Sequence, residues 1–388
     1  MIVAGVMSGT SADGINVAVV RVSSAETSRK KPISYPRFEL LGHAEYPYPS
    51  QVRRAILASM NSNHASVGDL ARLNFLLGEL YAKAVCTTQK RLACKVELVG
   101  CHGQTLFHQG ESTRYLGQRL TATWQTGEGS VIAARTGAPV VTDFRPADMA
   151  NGGKGAPLVP FLDYIFYRHP SRGRIIQNIG GIANLTAIPA AASPGQVIAF
   201  DTGPGNMVID AVVDQLYGKA YDRDGRLAAS GQVLSGILSS VLALPYFSRR
   251  PPKTAGREEF GREFVAQFLR RCRTSRKADV VATATALTAK SITGAINRFV
   301  FHKKGSFEEL IVSGGGAQNP TLLAMLRDEL SKIRLRLRLS DEFGLPANAK
   351  EAVAFAVLAF QTWHRRASNI PSATGASRAA ILGKISYA

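Results

Sequence analysis

The chain has 388 residues, 45% apolar and 19% charged, a balance that excludes a disordered polymer and is enough for two domains with cores of their own. With 47 Lys and Arg against 28 Asp and Glu the formal charge is +19 and the isoelectric point near 10.1, which points to an anionic partner without naming it. The basic residues are scattered and lack interleaved aromatics, so nucleic acid is not an expected partner, and no apolar run approaches the roughly 20 residues of a membrane span.

The first residues, Met1-Ile2-Val3-Ala4-Gly5, carry neither a basic leader nor a cleavage site, so a cytoplasmic protein is expected. Apolar runs at 2–6 and 15–20 flank the turn Met7-Ser8-Gly9-Thr10-Ser11-Ala12-Asp13-Gly14, which reads as a hairpin. Glycine permits positive φ and close approach to an anion, so Ser8, Gly9, Thr10, Ser11 and Gly14 are candidates to hold a triphosphate, or else form a plain turn. Asp13 is the candidate to hold magnesium through water. No GxxxxGK[ST] occurs, which excludes a P-loop.

A strand is expected over 38–46, then helices over 51–60 and 67–92 broken near Asn61-Ser62-Asn63. Cys86, Cys94, Cys101 and Cys272 lack metal or CxxC spacing and should be free, buried thiols. A buried strand from Val96 runs into the polar turn His102-Gly103-Gln104-Thr105, the kind of strand end where open α/β sheets bind ligands. His102 there is a positioning donor or a satisfied structural histidine. The pattern returns at 139–145 and ends in a glycine-rich loop over 148–157; Asp143, Arg145 and Asp148 suit sugar hydroxyls or an acidic group, or pair among themselves on a surface loop.

The second half restarts with its own hairpin at Asn178-Ile179-Gly180-Gly181-Ile182-Ala183-Asn184. A short strand over 197–200 delivers Asp201-Thr202-Gly203-Pro204-Gly205-Asn206 and a helix over 207–217, making Asp201 either a catalytic base at a strand's carboxyl end or the cap of that helix. A strand over 309–312 enters Ser313-Gly314-Gly315-Gly316, followed by a helix over 321–330. An apolar helix over 350–367 opens on Glu351, and the tail 368–388 reads as irregular coil. Both halves run hairpin, strand, helices, strand and loop, so two similar mixed α/β units around a cleft are expected, their hairpins gripping one polyphosphate.

Taken in order, the two hairpin turns, Cys101-His102-Gly103-Gln104-Thr105, Asp143-Phe144-Arg145, Gly152-Gly153-Lys154-Gly155-Ala156-Pro157-Leu158-Val159-Pro160, Asp201-Thr202-Gly203-Pro204-Gly205-Asn206 and Lys253-Thr254-Ala255-Gly256-Arg257-Glu258 resemble the anhydro-N-acetylmuramic acid kinase family over nearly the whole chain. The resemblance implies the sugar kinase, heat-shock 70 and actin superfamily fold: α/β, with two ribonuclease-H-like domains of mixed sheets flanked by helices and a nucleotide cleft between them. The expected division is 1–145, completed by about 366–388, and 146–365. It also implies ATP and Mg²⁺, a small anhydro amino sugar as substrate, a homodimer, and a reaction in which water opens the 1,6-anhydro bridge while the γ-phosphoryl of ATP passes to the released 6-oxygen. Asp201 would activate that water; His102, Gln104, Arg145, Asp148, Gly203 and Glu351 would hold the sugar; Asn178, Gly180, Gly181 and Gly314, Gly315, Gly316 would serve the nucleotide. An alternative is a related kinase that phosphorylates a free hydroxyl. Ala12, Asn16, Ala147, Asn151 and Lys154 depart from the usual family pattern and bear on sugar preference.

Overall fold

The computed structural model describes residues 1–9, 12–23, 35–60, 62, 64–301 and 307–388. Its first half holds β1 (Ile2–Ser8), β2 (Gly14–Ser23), β3 (Arg37–Pro47), β4 (Leu98–Tyr115), β5 (Gln118–Thr126) and β6 (Val140–Thr142). There follow β7 (Gly173–Ile179), β8 (Ile182–Ile188), β9 (Ile198–Pro204), β10 (Phe307–Ser313) and β11 (Arg336–Leu339), and β12 (Lys384–Ser386) returns to the first sheet beside β6.

In the first sheet β1, β2 and β3 are successively antiparallel, and β4 and β6 run parallel to β1, giving the order β6-β4-β1-β2-β3. The second sheet repeats this as β11-β10-β7-β8-β9. That wiring, twice over, is the ribonuclease-H-like order and bears out the expected pair of α/β domains. Parallel strands bring their carboxyl ends to one edge, so Ser8, the His102 region and Arg145 gather in one unit, and Asn178, Asp201 and Ser313 in the other.

The compact units are 1–166 with 348–388, and 167–347, which differs from the boundaries expected at 145 and 365. The reason lies in two glycines paired across β1 and β4. A Cβ on Gly5 would strike the Ala352 carbonyl, and one on Gly100 the Phe355 carbonyl, so their absence lets the Lys350–Trp363 helix lie directly on the first sheet. Its opening Lys350 forms a buried ion pair with Asp163, 2.7 Å away, which joins the Pro160–Tyr167 helix to the same unit. Val6, Val17, Val19, Val99 and Leu77 are among the side chains of the core on the sheet's other face.

Three elements differ from expectation. β4 does not stop at His102; Gly103, at φ +76, bends it, and the strand resumes to form a long ribbon with β5. β9 runs through Asp201 to Pro204, so Asp201 lies inside a strand and the following helix, Asn206–Tyr217, has Gly205 at its N-cap. The tail is not all coil, since it contains a short helix at Pro371–Thr374 and β12. Among the described residues no helix is long and apolar enough to cross a membrane, and all four cysteines are free, with Cys101 and Cys272 buried and Cys86 and Cys94 half-buried.

Candidate active site

In the first unit the hairpin turn is shaped by Ala12, which takes the left-handed conformation at φ 52 and donates its N–H to the Gly9 carbonyl. The floor beneath is a closed polar network. The Ser8 hydroxyl donates to Gln104 Oε1 at 2.6 Å, the Gln104 amide donates to the Gly9 carbonyl at 3.2 Å, and the Tyr48 phenol donates to Ser8 Oγ at 2.9 Å. Ser8 is 2% and Gln104 0% exposed, and in this ligand-free structure their side chains brace the turn. Asp13 is exposed and lies 3.3 Å from Arg53 in an exposed pair. Thr10 and Ser11 lie outside the described residues.

His102, Arg145 and Glu351 are brought together at the strand ends. The Arg145 guanidinium donates to His102 Nε2 at 2.8 Å and to the Gly155 carbonyl at 2.7 Å, while His102 Nδ1 faces the Gly103 carbonyl at 2.8 Å. Those partners require the neutral Nδ1–H tautomer, and burial together with the Arg145 charge drives the imidazole well below its ordinary range. His102 is therefore a structural clamp on Arg145, seated against the Phe355 ring at 4.6 Å. Burial lowers Arg145 to about 10, against the opposing pull of Glu351 and Asp148, and its Nε is buried without a partner among the described residues. The crowding of protein atoms around Glu351 pushes its carboxyl up, while Lys350 and Arg145 draw it down; the side chain keeps an exposed surface.

Asp148 is engaged by the scaffold. It is fully buried, and its two oxygens accept from Gly155 N–H at 2.9 Å, Asn369 Nδ2 at 2.7 Å and Thr374 Oγ1 at 2.7 Å. It ties the glycine-rich loop to the tail through both of its oxygens. Asp143 turns outward to Lys384, 2.9 Å away. Two departures from the family pattern are likewise spoken for: Lys154 pairs with Glu111 at 2.6 Å, and Asn151 accepts from Arg378 at 2.6 Å.

In the second unit Asp201 sits beside a β-bulge. Asn184 faces Asp201 and Ala183 faces Gly203, so Thr202 is the extra residue, its hydroxyl tied to the Ala183 carbonyl at 3.0 Å. Bulges re-aim side chains, and here the neighbouring carboxylate is held on one oxygen only, by Ala255 N–H at 2.8 Å. Oδ1 has no partner among the described residues. Burial raises the Asp201 carboxyl to about 6; Ala255 N–H and Lys253 lower it, and Glu259 and Glu258 add to the rise. A base half-ionised near pH 6 and mostly ionised at neutrality, with one oxygen free, is equipped to take a proton from water or a hydroxyl. Gly203 is buried, and a Cβ there would press on Phe247 and Ser291, so its small size serves packing.

The second hairpin turn is clasped by the start of the Asn206–Tyr217 helix: the N–H groups of Gly205 and Met207 donate to the Gly181 carbonyl and that of Asn206 to the Gly180 carbonyl. Gly314, at φ +85, lies so close to Asn178 and Ile179 that a Cβ would clash, and Gly316 is buried against Ile179, leaving Gly315 exposed. Beside Gly315 opens a cavity of about 480 Å³, lined in part by Asn206, Asp210, Tyr221, Arg223 and Gln318, within the size range of small-molecule pockets. Sequence reasoning missed this group, because Tyr221 and Arg223 follow a helix with no motif around them. Burial and the nearby Asp222 raise Asp210 to about 6, and Asp210 has no protein partner among the described residues, whereas both Asp222 oxygens cap the chain at Leu227 and Ala228.

The family model for anhydro-N-acetylmuramic acid kinase matches residues 1–388. Curated relatives bearing that name include one from Bacillus cereus, 41% identical over all of this chain and 99% of its own, and one from Bacillus thuringiensis subsp. konkukian, 40% identical with the same coverage. Among solved structures, component A of the Acidaminococcus fermentans (R)-2-hydroxyglutaryl-CoA dehydratase aligns over 93% of this chain and 98% of its own at 12% identity, with a TM-score of only 0.45. Sequence similarity over the full length, with both hairpins and the Asp201 segment in place, leaves one conclusion: the chain belongs to the anhydro-N-acetylmuramic acid kinase family.

Proposed function

We propose that this protein opens 1,6-anhydro-N-acetylmuramic acid with water and phosphorylates it from ATP, giving N-acetylmuramic acid 6-phosphate and ADP as a step of peptidoglycan recycling in the cytoplasm. The observation that carries the reading is the Asp201 carboxylate, with one oxygen anchored by Ala255 N–H and the other without a partner among the described residues. Asp201 takes a proton as water oxygen bonds to the anomeric carbon; the carbon–O6 bond breaks, and its electron pair stays on O6. That oxygen attacks the γ-phosphorus, the bond to the β-phosphate's bridging oxygen breaks, and ADP leaves. Base catalysis of this kind contributes about 10²–10⁴-fold.

Arg145, fixed by His102, and Glu351 serve the sugar in this reading, with Asp148 positioning the loop behind them. Gly9, Gly14, Gly180 and Gly181, with Thr10 and Ser11, serve the phosphates, and the cavity beside Gly315 takes the nucleoside, Asp210 accepting from ribose hydroxyls. Magnesium fits the exposed Asp13 carboxylate, an oxygen donor of the kind a hard cation prefers; when bound, it would neutralise phosphate charge. A homodimer belongs to the same proposal and is checked by sedimentation.

The test is a short incubation with ATP, magnesium and the anhydro sugar in ¹⁸O-labelled water, read by mass spectrometry. The expected product is the 6-phosphate carrying label at the anomeric position, with near-complete loss in Asp201→Asn while nucleotide binding is kept. Phosphorylated sugar without label would replace this reading by transfer to a free hydroxyl, and full turnover in Asp201→Asn would remove the base.

A further inference from the structure

Lys253 is 2% exposed and, among the described residues, has no ion-pair partner. An ammonium in such a place needs compensation. It sits 4.5 Å from the centre of the Tyr246 ring, 5.1 Å from that of Phe299 and 5.9 Å from that of Phe200, an aromatic cage that favours a cation. Its Nζ donates to the Tyr246 carbonyl at 3.1 Å. The Tyr246 phenol in turn donates to the Asp201 carbonyl at 2.8 Å, and the Asp201 N–H donates to the Lys253 carbonyl at 3.1 Å. The three residues close a circuit that grips the Asp201 backbone from both sides and leaves its carboxylate for the chemistry.

We propose that Lys253 is a positioning residue for Asp201: its caged ammonium locks the circuit with Tyr246 and supplies the positive field that keeps the carboxylate ionised and aimed. The other charges around this place are Glu258 and Glu259, which push Asp201 up, Arg249, stacked on the Tyr246 ring at 5.5 Å, and Arg298, bonded to the Phe247 carbonyl at 3.1 Å. Both arginines press Lys253 down, so that burial and like charge bring it to about 8. Of these cations it is Lys253 whose charge acts noticeably on Asp201, lowering it. That Asp201 acts as a base rests on the proposed function, whereas the circuit and the field do not.

The experiment follows the Asp201 carboxyl by ¹³C NMR in the full-length, ligand-free protein labelled at aspartate Cγ, with Asp201→Asn to assign the signal. Wild type should titrate near pH 6 and show a second, smaller inflection near 8, where Lys253 loses its charge. In Lys253→Met the midpoint should rise by about one pH unit, as expected on removing a nearby opposite charge, and the second inflection should vanish. Lys253→Arg, which keeps the charge, should restore the midpoint. An unchanged midpoint in Lys253→Met overturns the proposal, as does a wild-type titration lacking the inflection near 8, which decides the matter even if the methionine variant does not fold. Because no substrate is added, a shifted midpoint supports the inference whether or not the proposed reaction is found.

Discussion

Replacing Asp201 with Asn should abolish turnover and, at neutral pH, stabilise the protein. The carboxyl titrates at about 6 in the fold against 3.8 for a free aspartate, chiefly because burial disfavours its charge. The folded chain therefore holds this proton more tightly than the unfolded chain, and stability falls as pH rises from about 3.8 to about 6, with the full cost carried above 6. A gap of that size corresponds to roughly 3 kcal/mol at pH 7. The side chain keeps some contact with solvent and an amide must still be accommodated, so a gain of about 1–2 kcal/mol is the expected outcome, or a few degrees in melting temperature for a unit of this size. Asparagine keeps the anchor, since its Oδ1 can accept from Ala255 N–H as Oδ2 does now. Calorimetry at pH 7.5 and again near pH 4 measures the effect, and most of the gain should be gone at the lower pH. A variant melting at or below wild type at pH 7.5, or one whose gain is the same at both pH values, would refute the electrostatic reasoning.

Gly100→Ala should cost about 1–3 kcal/mol or more in urea unfolding, because the new methyl meets the Phe355 carbonyl and lies 2.7 Å from Ala359 Cβ, both on a helix held to the sheet along its length. Asp148→Asn should lower stability by about 1–3 kcal/mol, since an amide nitrogen would then face one of three buried donors; unchanged stability with a raised sugar KM would instead make Asp148 a ligand contact. Asp210→Ala should raise the KM for ATP about tenfold, with kcat kept and a smaller effect on 2′-deoxyATP. An equal effect on both nucleotides would separate Asp210 from the ribose.

What the sequence made legible followed from backbone chemistry. The two hairpins could be placed because β-branched runs flank turns that need glycine, and Gly180 and Gly181 sit between β7 and β8 as that pattern requires. The continuation of β4 was hidden: Gly103 looks like an end, but its positive φ makes a bend after which exposed residues pair with β5, and exposure removes the apolar alternation on which strand reading depends. Site residues could be picked by type, whereas their internal partners could not be read from local pattern. Ser8, Gln104 and Asp148 read as donors and acceptors for a ligand, yet burial and internal partners spend all three on the scaffold, which no local pattern reveals. Lys253 was visible within a family motif, but its significance arises from Phe200, Tyr246 and Phe299, residues far from one another along the chain.

The two units share one strand order and differ in how far they satisfy their polar groups. In the first, Ser8, Gln104, His102 and Asp148 all bond to other protein groups, which fixes Arg145, the turn and the glycine-rich loop. In the second, Asp201 and Asp210 are both raised to about 6 by burial and both keep an oxygen without a partner among the described residues. Carboxylates left under-bonded in a partly desolvated place lower the stability of the empty protein, and a ligand that donates to them recovers that loss on binding. Nucleotide should therefore raise the melting temperature less in Asp210→Ala than in wild type, while the melting temperature of the ligand-free variant stays equal to or above that of wild type. Only an under-bonded acceptor predicts this pairing; a carboxylate that merely supported the fold would lower both temperatures together.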